Sequence, residues 1–236
     1  MSPKPTTIFA CQACAATSSK WLGRCPECGE WNSYVEETRM PAATALVGAP
    51  ARARALTDVA VEARPRRETR LAGLDRVLGG GLVAGSVVLV GGEPGIGKST
   101  LLLQAARALA DHSGAVLYAA GEESAEQVRL RADRLGVSHE KLLVLADTDV
   151  ERIVAGASPE SPSALIVDSI QAVRHAALES APGSVSQVRE CAAALVRYAK
   201  ERSVPVLLVG HVTKDGSLAG PKSLEHLVDA LITLEG

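Results

Sequence analysis

Gly92-Glu93-Pro94-Gly95-Ile96-Gly97-Lys98-Ser99 is the stretch that decides the fold. It satisfies G-x-x-x-x-G-K-[ST] at every fixed position, with an apolar run before it (Ser86–Val90) and a helical pattern after it (Lys98–Ala110). Gly92, Gly95 and Gly97 let backbone N–H groups converge on phosphate oxygens where a Cβ would obstruct the turn. The helix that begins near Lys98 turns its positive end toward the same anion. Lys98 brings a charge to the β- and γ-phosphates, the Ser99 hydroxyl can ligand Mg²⁺, and Thr100 can reach the α-phosphate side. Glu93, Pro94 and Ile96 complete a loop that binds, and is expected to hydrolyse, a nucleoside triphosphate.

Outward from the loop the same alternation continues. Ala115–Ala119 and Ser124–Leu135 repeat the strand–helix pair, and Leu142–Leu145, Ala164–Val167, Val204–Val209 and Ala230–Leu234 are further strand candidates. A long helix is predicted near Val188–Arg202. Near-continuous Val/Leu/Ile strands between helices predict an α/β fold, a mainly parallel sheet with helices on both faces. With 47% hydrophobic residues and only 3% aromatic, its core must be aliphatic.

Ligands of such sheets lie outside the strands' C-terminal ends, so the polar residues found there are the candidates for chemistry. Ala164-Leu-Ile-Val-Asp168 is an apolar strand ending in a carboxylate, suited to hold Mg²⁺ with Ser99; capping a following helix is the plainer use of Asp168. Glu122 and Glu123 follow another strand. Glu122 is the preferred water activator, with Glu123 assisting or substituting, or serving only as a helix first-turn acid. His211, after Val206–Gly210, is a candidate γ-phosphate sensor.

Four of the five cysteines crowd the N-terminus as Cys11-x-x-Cys14 and Cys25-x-x-Cys28, with ten residues between the pairs. Four thiolates on two knuckle turns give the closed tetrahedral set of structural Zn²⁺, and iron–sulfur or redox use is the lesser alternative. So small a head needs the ion to fold. Trp21 and Trp31 are expected to pack on the zinc core, base stacking being the sharper alternative. Cys191, alone in a helical stretch, reads as buried packing.

The chain divides at this stage into a four-cysteine zinc finger (1–36), an Ala/Pro/Arg-rich linker (37–68) and the P-loop core (69–236). Between Arg39 and Arg70 seven arginines face three acids, which reads first as a solvated linker and second as a nucleic-acid arm. A net charge of −2 supplies no global attraction to nucleic acid. The first thirty residues lack an apolar signal core, and no window approaches a membrane span, so a cytoplasmic protein is expected.

Leu71-Ala-Gly73-Leu-Asp75-Arg-Val-Leu-Gly79-Gly80-Gly81-Leu-Val-Ala-Gly85, running into the loop, resembles the entry to RecA-like ATPase cores. With Lys20-Trp-Leu-Gly-Arg-Cys-Pro-Glu-Cys-Gly-Glu-Trp-Asn-Ser33 ahead of it, the chain resembles the RadA (Sms) family of bacterial DNA repair proteins. Gly121–Ser124, Val167–Gln171, Ser180–Glu190 and Ala219–Lys222 add to the resemblance, which covers all but the linker. It implies a RecA-like P-loop core behind a zinc finger, with ATP, Mg²⁺ and Zn²⁺ as cofactors. It also implies a DNA-stimulated ATPase acting on single-stranded DNA and branched recombination intermediates, in branch migration with the RecA recombinase, as a hexameric ring. By the same analogy two loops face DNA, near Arg174–Arg189 and Val212–Lys222, offering Arg174, Arg189, Lys214 and Lys222 to phosphates.

Two departures qualify the resemblance. Ala15 stands where the family carries glycine after the first cysteine pair. The sequence stops at Gly236, before a Lys-Asn-Arg-Phe-Gly motif and a domain resembling the Lon protease, so a fragment is expected. A zinc-, nucleotide- and DNA-binding module with little turnover, or a signalling or clock-type RecA-like ATPase, are the alternatives.

Overall fold

The computed structural model describes residues 6–14, 16–39, 53, 55–58, 65–211 and 224–236. Its first element is an antiparallel sheet of β1 (Thr6–Cys11), β2 (Thr17–Ser18) and β3 (Tyr34–Arg39), in the order β2-β1-β3. The first cysteine knuckle leaves the end of β1, and the second lies in the β2–β3 connection, closed by an antiparallel Arg24–Trp31 bridge. The head's sheet thus runs on to Arg39, because β3 pairs with β1 along its whole length.

The larger sheet follows a short helix, α1 (Ala72–Val77). Its elements in chain order are β4 (Val87–Gly92), α2 (Lys98–His112), β5 (Val116–Ala120), α3 (Ala125–Leu135), β6 (Leu142–Ala146), α4 (Val150–Glu160), β7 (Ala164–Asp168), α5 (Val185–Arg202), β8 (Val206–Val209) and β9 (Ala230–Leu234). The strands stand in the order β6-β5-β7-β8-β4-β9, and every neighbouring pair is parallel. The residues of β4, β5 and β8 are all buried, whereas the two edge strands β6 and β9 are partly exposed. This is the burial expected of a parallel sheet covered on both faces.

Alternation along each strand divides the core into two aliphatic layers. Val87 and Leu89 of β4 join Leu165, Val167 and Leu208 against Ile153 of α4 and Val188 and Leu195 of α5. Val88 and Val90 join Ile166 and Leu207 against Leu102, Leu103 and Leu109 of α2 and Val128 of α3. Each such side chain, once buried, contributes about 1.5–3 kcal/mol. Cys191 is fully buried in the first layer, the packing role expected of it.

Helix ends carry local instructions. Ser124 and Gln127 form a reciprocal capping box on α3, and Gly136 closes the helix. Asp149 caps α4 through the N–H groups of Glu151 (3.0 Å) and Arg152 (3.3 Å). The sequence reading did not include α4, although buried Val150, Ile153 and Ala157 fall at helical spacing; Gly156 and Pro159 mask the pattern. It also started α5 three residues late, since the cap is Ser184. Asp229 accepts the N–H of Val87 and the ammonium of Lys200, both at 2.8 Å, tying the first residue of β4 to α5. The head touches the core where Ser186 Oγ donates to buried Glu37 Oε1 at 2.6 Å, beside a cleft of about 760 Å³ between the two.

No helix among the described residues is long and apolar enough to cross a membrane.

Candidate functional site

Because the strands of the large sheet run parallel, their C-terminal ends open on one edge. β4 runs into the glycine loop, β5 into Gly121-Glu122-Glu123, β7 ends on Asp168, and β8 leads to Gly210-His211. The register aligns them: Ala120 stands opposite Asp168, Gly121 N–H donates to Asp168 O at 2.8 Å, and Gly210 N–H to Val90 O at 2.9 Å. Glycine is needed at position 121, where a Cβ would come within 2.9 Å of the Ala172 side chain. It is needed again at Gly97, the cap of α2, whose φ of 104° lies in the left-handed region.

Lys98 is buried at the start of α2, and its Nζ donates 2.8 Å bonds to the carbonyls of Gly92 and Glu93. Burial draws its pKa down, opposed by the charges of Asp168 and Glu122. Lysine and carboxylates therefore share one electrostatic site. Ser99 and Thr100 occupy the next positions, half-buried in the first turn. Glu93, Pro94 and Gly95 form the loop's exposed tip, with Ile96 behind it.

The three acids of the edge are held differently. Asp168 caps no helix, since the next one starts at Val185 under Ser184. Its Oδ2 accepts the Tyr118 hydroxyl. The ring of Tyr118 is fully buried, and burial first, the Asp168 charge second, push its pKa up, so the phenol stays a donor. Glu122 is exposed at the edge; its Oε1 accepts the Ser169 hydroxyl and lies 3.3 Å from His211 Nε2. Glu123 precedes the cap of α3 instead of joining its first turn, and pairs with Arg131 at 2.8 Å. Arg131 Nη2 is also 3.3 Å from Tyr118 Oη and 3.9 Å from Asp168 Oδ2. The Asp168–Ser169 peptide is cis. A hydroxyl at Ser99 and a carboxylate at Asp168, both oxygen donors, suit Mg²⁺.

The sequence reading missed Tyr118, Arg131 and Ser169. Tyr118 had a signal: a phenol in the otherwise aliphatic strand Val116-Leu-Tyr-Ala-Ala120 needs a buried partner for its hydroxyl.

In the head, the four cysteines are free of disulfides and their sulfurs lie within 4.8 Å of one another. Cys11 and Cys28 sulfurs are 3.7 Å apart, and those of Cys14 and Cys25 3.5 Å. A tetrahedron with Zn–S bonds of about 2.3 Å has edges of about 3.8 Å, so the donor set fits zinc. The Cys28 N–H, foremost, holds the Cys25 thiol down to about 6, while burial pushes Cys14 up. A divalent cation relieves that conflict by taking all four as thiolates. The tryptophans do not pack on this centre: Trp21 is 51% and Trp31 65% exposed. Tyr34, with Phe9, Ala16 and Leu22 beside it, fills the small interior in their place. Trp31 lies instead under the Arg24 guanidinium, 5.7 Å from the ring centre, and Trp21 Nε1 donates to Tyr34 O at 3.1 Å.

Of the residues expected to meet DNA, Arg174 is exposed and pairs by its backbone with Thr148 and Val150 at the start of α4. Arg189 is exposed on α5 and lines the cleft facing the head. Lys214, Lys222 and Ala15 lie outside the described residues.

This fold and site define a RecA-like P-loop nucleotide-binding core preceded by a four-cysteine zinc ribbon. The AAA domain family matches residues 49–217, and the chain belongs to that family. A rubredoxin metal binding domain matches residues 9–36. The chain is 49% identical over 240 residues to the DNA repair protein RadA of Bacillus subtilis, covering 99% of this chain and 52% of that protein. It is 50% identical over 238 residues to the protein of that name from Pseudomonas aeruginosa (99% and 52%), and 44% over 247 residues to that of Escherichia coli (100% and 53%). The chain thus spans about half the length of these relatives. Among solved structures, an isolated ATPase domain shares the fold with a TM-score of 0.60 at 15% identity, over 73% of this chain and 76% of that one.

Proposed function

We propose that this chain is an ATPase of DNA repair. Its core takes ATP with Mg²⁺ on the Gly92–Ser99 loop, and water attack on the γ-phosphate is promoted at the adjoining sheet edge. The observation that carries this reading is the convergence of Lys98, Glu122 and Asp168 from three separate segments at one sheet edge, where Ala120 stands opposite Asp168 and Gly121 N–H bonds Asp168 O at 2.8 Å. In this reading Lys98 neutralises the β- and γ-phosphates, Ser99 and Asp168 hold Mg²⁺, and Thr100 meets the α-phosphate. Glu122 activates the water, because Glu123 is engaged by Arg131. His211, 3.3 Å from Glu122, senses whether the γ-phosphate is present. The cation supplies charge stabilisation of the phosphoryl oxygens; every other task falls to the chain's own groups.

The division into a zinc finger at 1–36, a linker at 37–68 and a core from 69 onward accompanies this reading, with β3 carrying the finger's sheet past that first boundary to Arg39. So do stimulation by single-stranded DNA through Arg174, Arg189, Lys214 and Lys222, and action on branched recombination intermediates in branch migration. Cooperation with RecA, a ring-shaped homo-hexamer and a cytoplasmic setting complete it. Support comes from the DNA repair function for which the RadA relatives are named, 44–50% identical over nearly the whole chain.

The test is ATP hydrolysis with and without single-stranded DNA, beside a Lys98→Ala control. Expected are turnover above the control, a rise with DNA, and DNA binding that weakens steeply with salt. Hydrolysis no greater than the control leaves a zinc- and nucleotide-binding module. Hydrolysis without salt-sensitive DNA binding favours a signalling-type ATPase.

A further inference from the structure

Helix α3 carries two arginines with opposite uses. Arg129 pairs with Asp133 one turn along the same helix, at 2.8 Å, with 69% and 46% of the two side chains exposed. A pair of that kind contributes about 0.2–0.5 kcal/mol to its helix. Arg131, only 16% exposed, turns to the sheet edge and spends its guanidinium on groups outside the helix. Its Nη1 donates to Glu123 Oε1 at 3.2 Å, and its Nη2 lies 2.8 Å from Oε2 as an ion pair, so the guanidinium forks around the carboxylate. The same Nη2 stands 3.3 Å from the Tyr118 hydroxyl, which donates to Asp168 Oδ2. Glu122 is held from the other side, by Ser169 and His211.

Resting on the ATPase reading, we propose that Arg131, acting with Tyr118, is the positioning residue that gives the three carboxylates of the nucleotide edge their separate tasks. Three like charges at one edge repel, and without a fixed counter-charge any of them could rotate toward a bound cation. The Arg131 fork removes Glu123 from that competition by neutralising its charge and hydrogen-bonding Oε1. Through Tyr118 it fixes Asp168 by Oδ2, so that Oδ1 would be the atom left to help hold the cation. Glu122, outside the fork, is held by Ser169 and His211 at Oε1 and keeps its other oxygen for water. Planarity matters here: a guanidinium can serve Glu123 and the phenol at once, whereas a lysine ammonium is a single point. Arg131 touches neither nucleotide nor cation, and acts through the groups that do.

The experiment measures binding of a non-hydrolysable ATP analogue to the full chain by calorimetry, at a series of Mg²⁺ concentrations. Arg131→Met is expected to bind the analogue without Mg²⁺ as the wild type does, and to need about 10- to 100-fold more Mg²⁺ for the half-maximal gain in affinity. Tyr118→Phe shifts the same midpoint in the same direction by less, and Arg131→Lys falls between wild type and Arg131→Met. Adding Glu123→Gln to Arg131→Met restores most of the midpoint, because the released carboxylate no longer competes; a helix merely weakened by the loss of Arg131 would not recover. A wild-type midpoint in Arg131→Met, or a double variant no better than the single one, overturns the proposal and leaves the ATPase reading standing. A wild-type chain whose binding of the analogue ignores Mg²⁺ overturns both. Should Arg131→Met fail to fold, Tyr118→Phe, which removes one hydroxyl, decides by whether its midpoint rises.

Discussion

The zinc head and the nucleotide edge both gather charged or ionisable side chains from distant positions, and they do so by opposite means. In the head, Cys11, Cys25 and Tyr34 are the only buried hydrophobic residues of the local cluster among the described residues, so little apolar area opposes the entropy of ordering the chain. The four sulfurs come within 4.8 Å largely for the sake of an ion. At the nucleotide edge the sheet does the gathering. Two aliphatic layers hold β4, β5, β7 and β8 in register, and the acids and Lys98 are carried to one place with no ligand required. A region that depends on its ligand to fold and one that depends on it only to act should respond differently to the same insult.

Removing zinc tests this contrast most severely. Cys25→Ser, or a strong chelator, is expected to lower zinc from about one ion per chain to almost none and to unfold the head, since structural zinc supplies about 10–16 kcal/mol in small zinc domains. The chain's two tryptophans, Trp21 and Trp31, both lie in the head, so intrinsic tryptophan fluorescence reports on that region alone. Far-UV circular dichroism follows the core, whose melt should stay put. A core melt that falls with the zinc would make the two regions one cooperative unit and end the comparison.

Glu122→Gln addresses the other side. Turnover should fall about 10²- to 10⁴-fold while nucleotide affinity and both melts are kept. Normal hydrolysis in that variant would move the base to another residue. Leu102→Ala, deleting a fully buried side chain of α2, should cost the core about 2–5 kcal/mol. The tryptophan signal should still report a folded head at temperatures where the core has melted. The smallest effect is expected at the junction: Glu37→Ala removes the acceptor of Ser186 and should change either melt by about 1 kcal/mol, while loosening the head's seat on α5. Cross-linking yield between cysteines placed across the cleft would register that loosening.

The parts legible in sequence were those with strong local rules. Cysteine spacing announced a metal, the glycine loop with Lys98 and Ser99 announced a phosphate, and unbroken aliphatic runs announced buried parallel strands. Asp168 could be found because it ends such a run, and Glu122 because it stands just beyond the strand Val116–Ala120. What escaped was set by tertiary position. Arg131 has the look of any helix-surface arginine until α3 is laid on the sheet, and only then does it differ from Arg129. The tryptophans misled for a similar reason. Large apolar rings ordinarily seek an interior, but the head's interior is taken by sulfur and Tyr34. Helix α4 is the one substantial element hidden by its own composition, with Gly156 and Pro159 interrupting a face that Val150, Ile153 and Ala157 define.

Strand order bears, finally, on how such a chain is made. The strand that delivers the glycine loop, β4, has β8 and β9 as its sheet neighbours, and Val87 pairs with Val206. During synthesis the loop leaves the ribosome long before either neighbour exists. At roughly 5–20 residues per second, several seconds pass in which β4 has no strand beside it. In that interval β5 can pair with β6 and then with β7 as each emerges. The nucleotide loop is therefore among the first parts of the core to be translated, while the strand that carries it is among the last to gain its sheet neighbours.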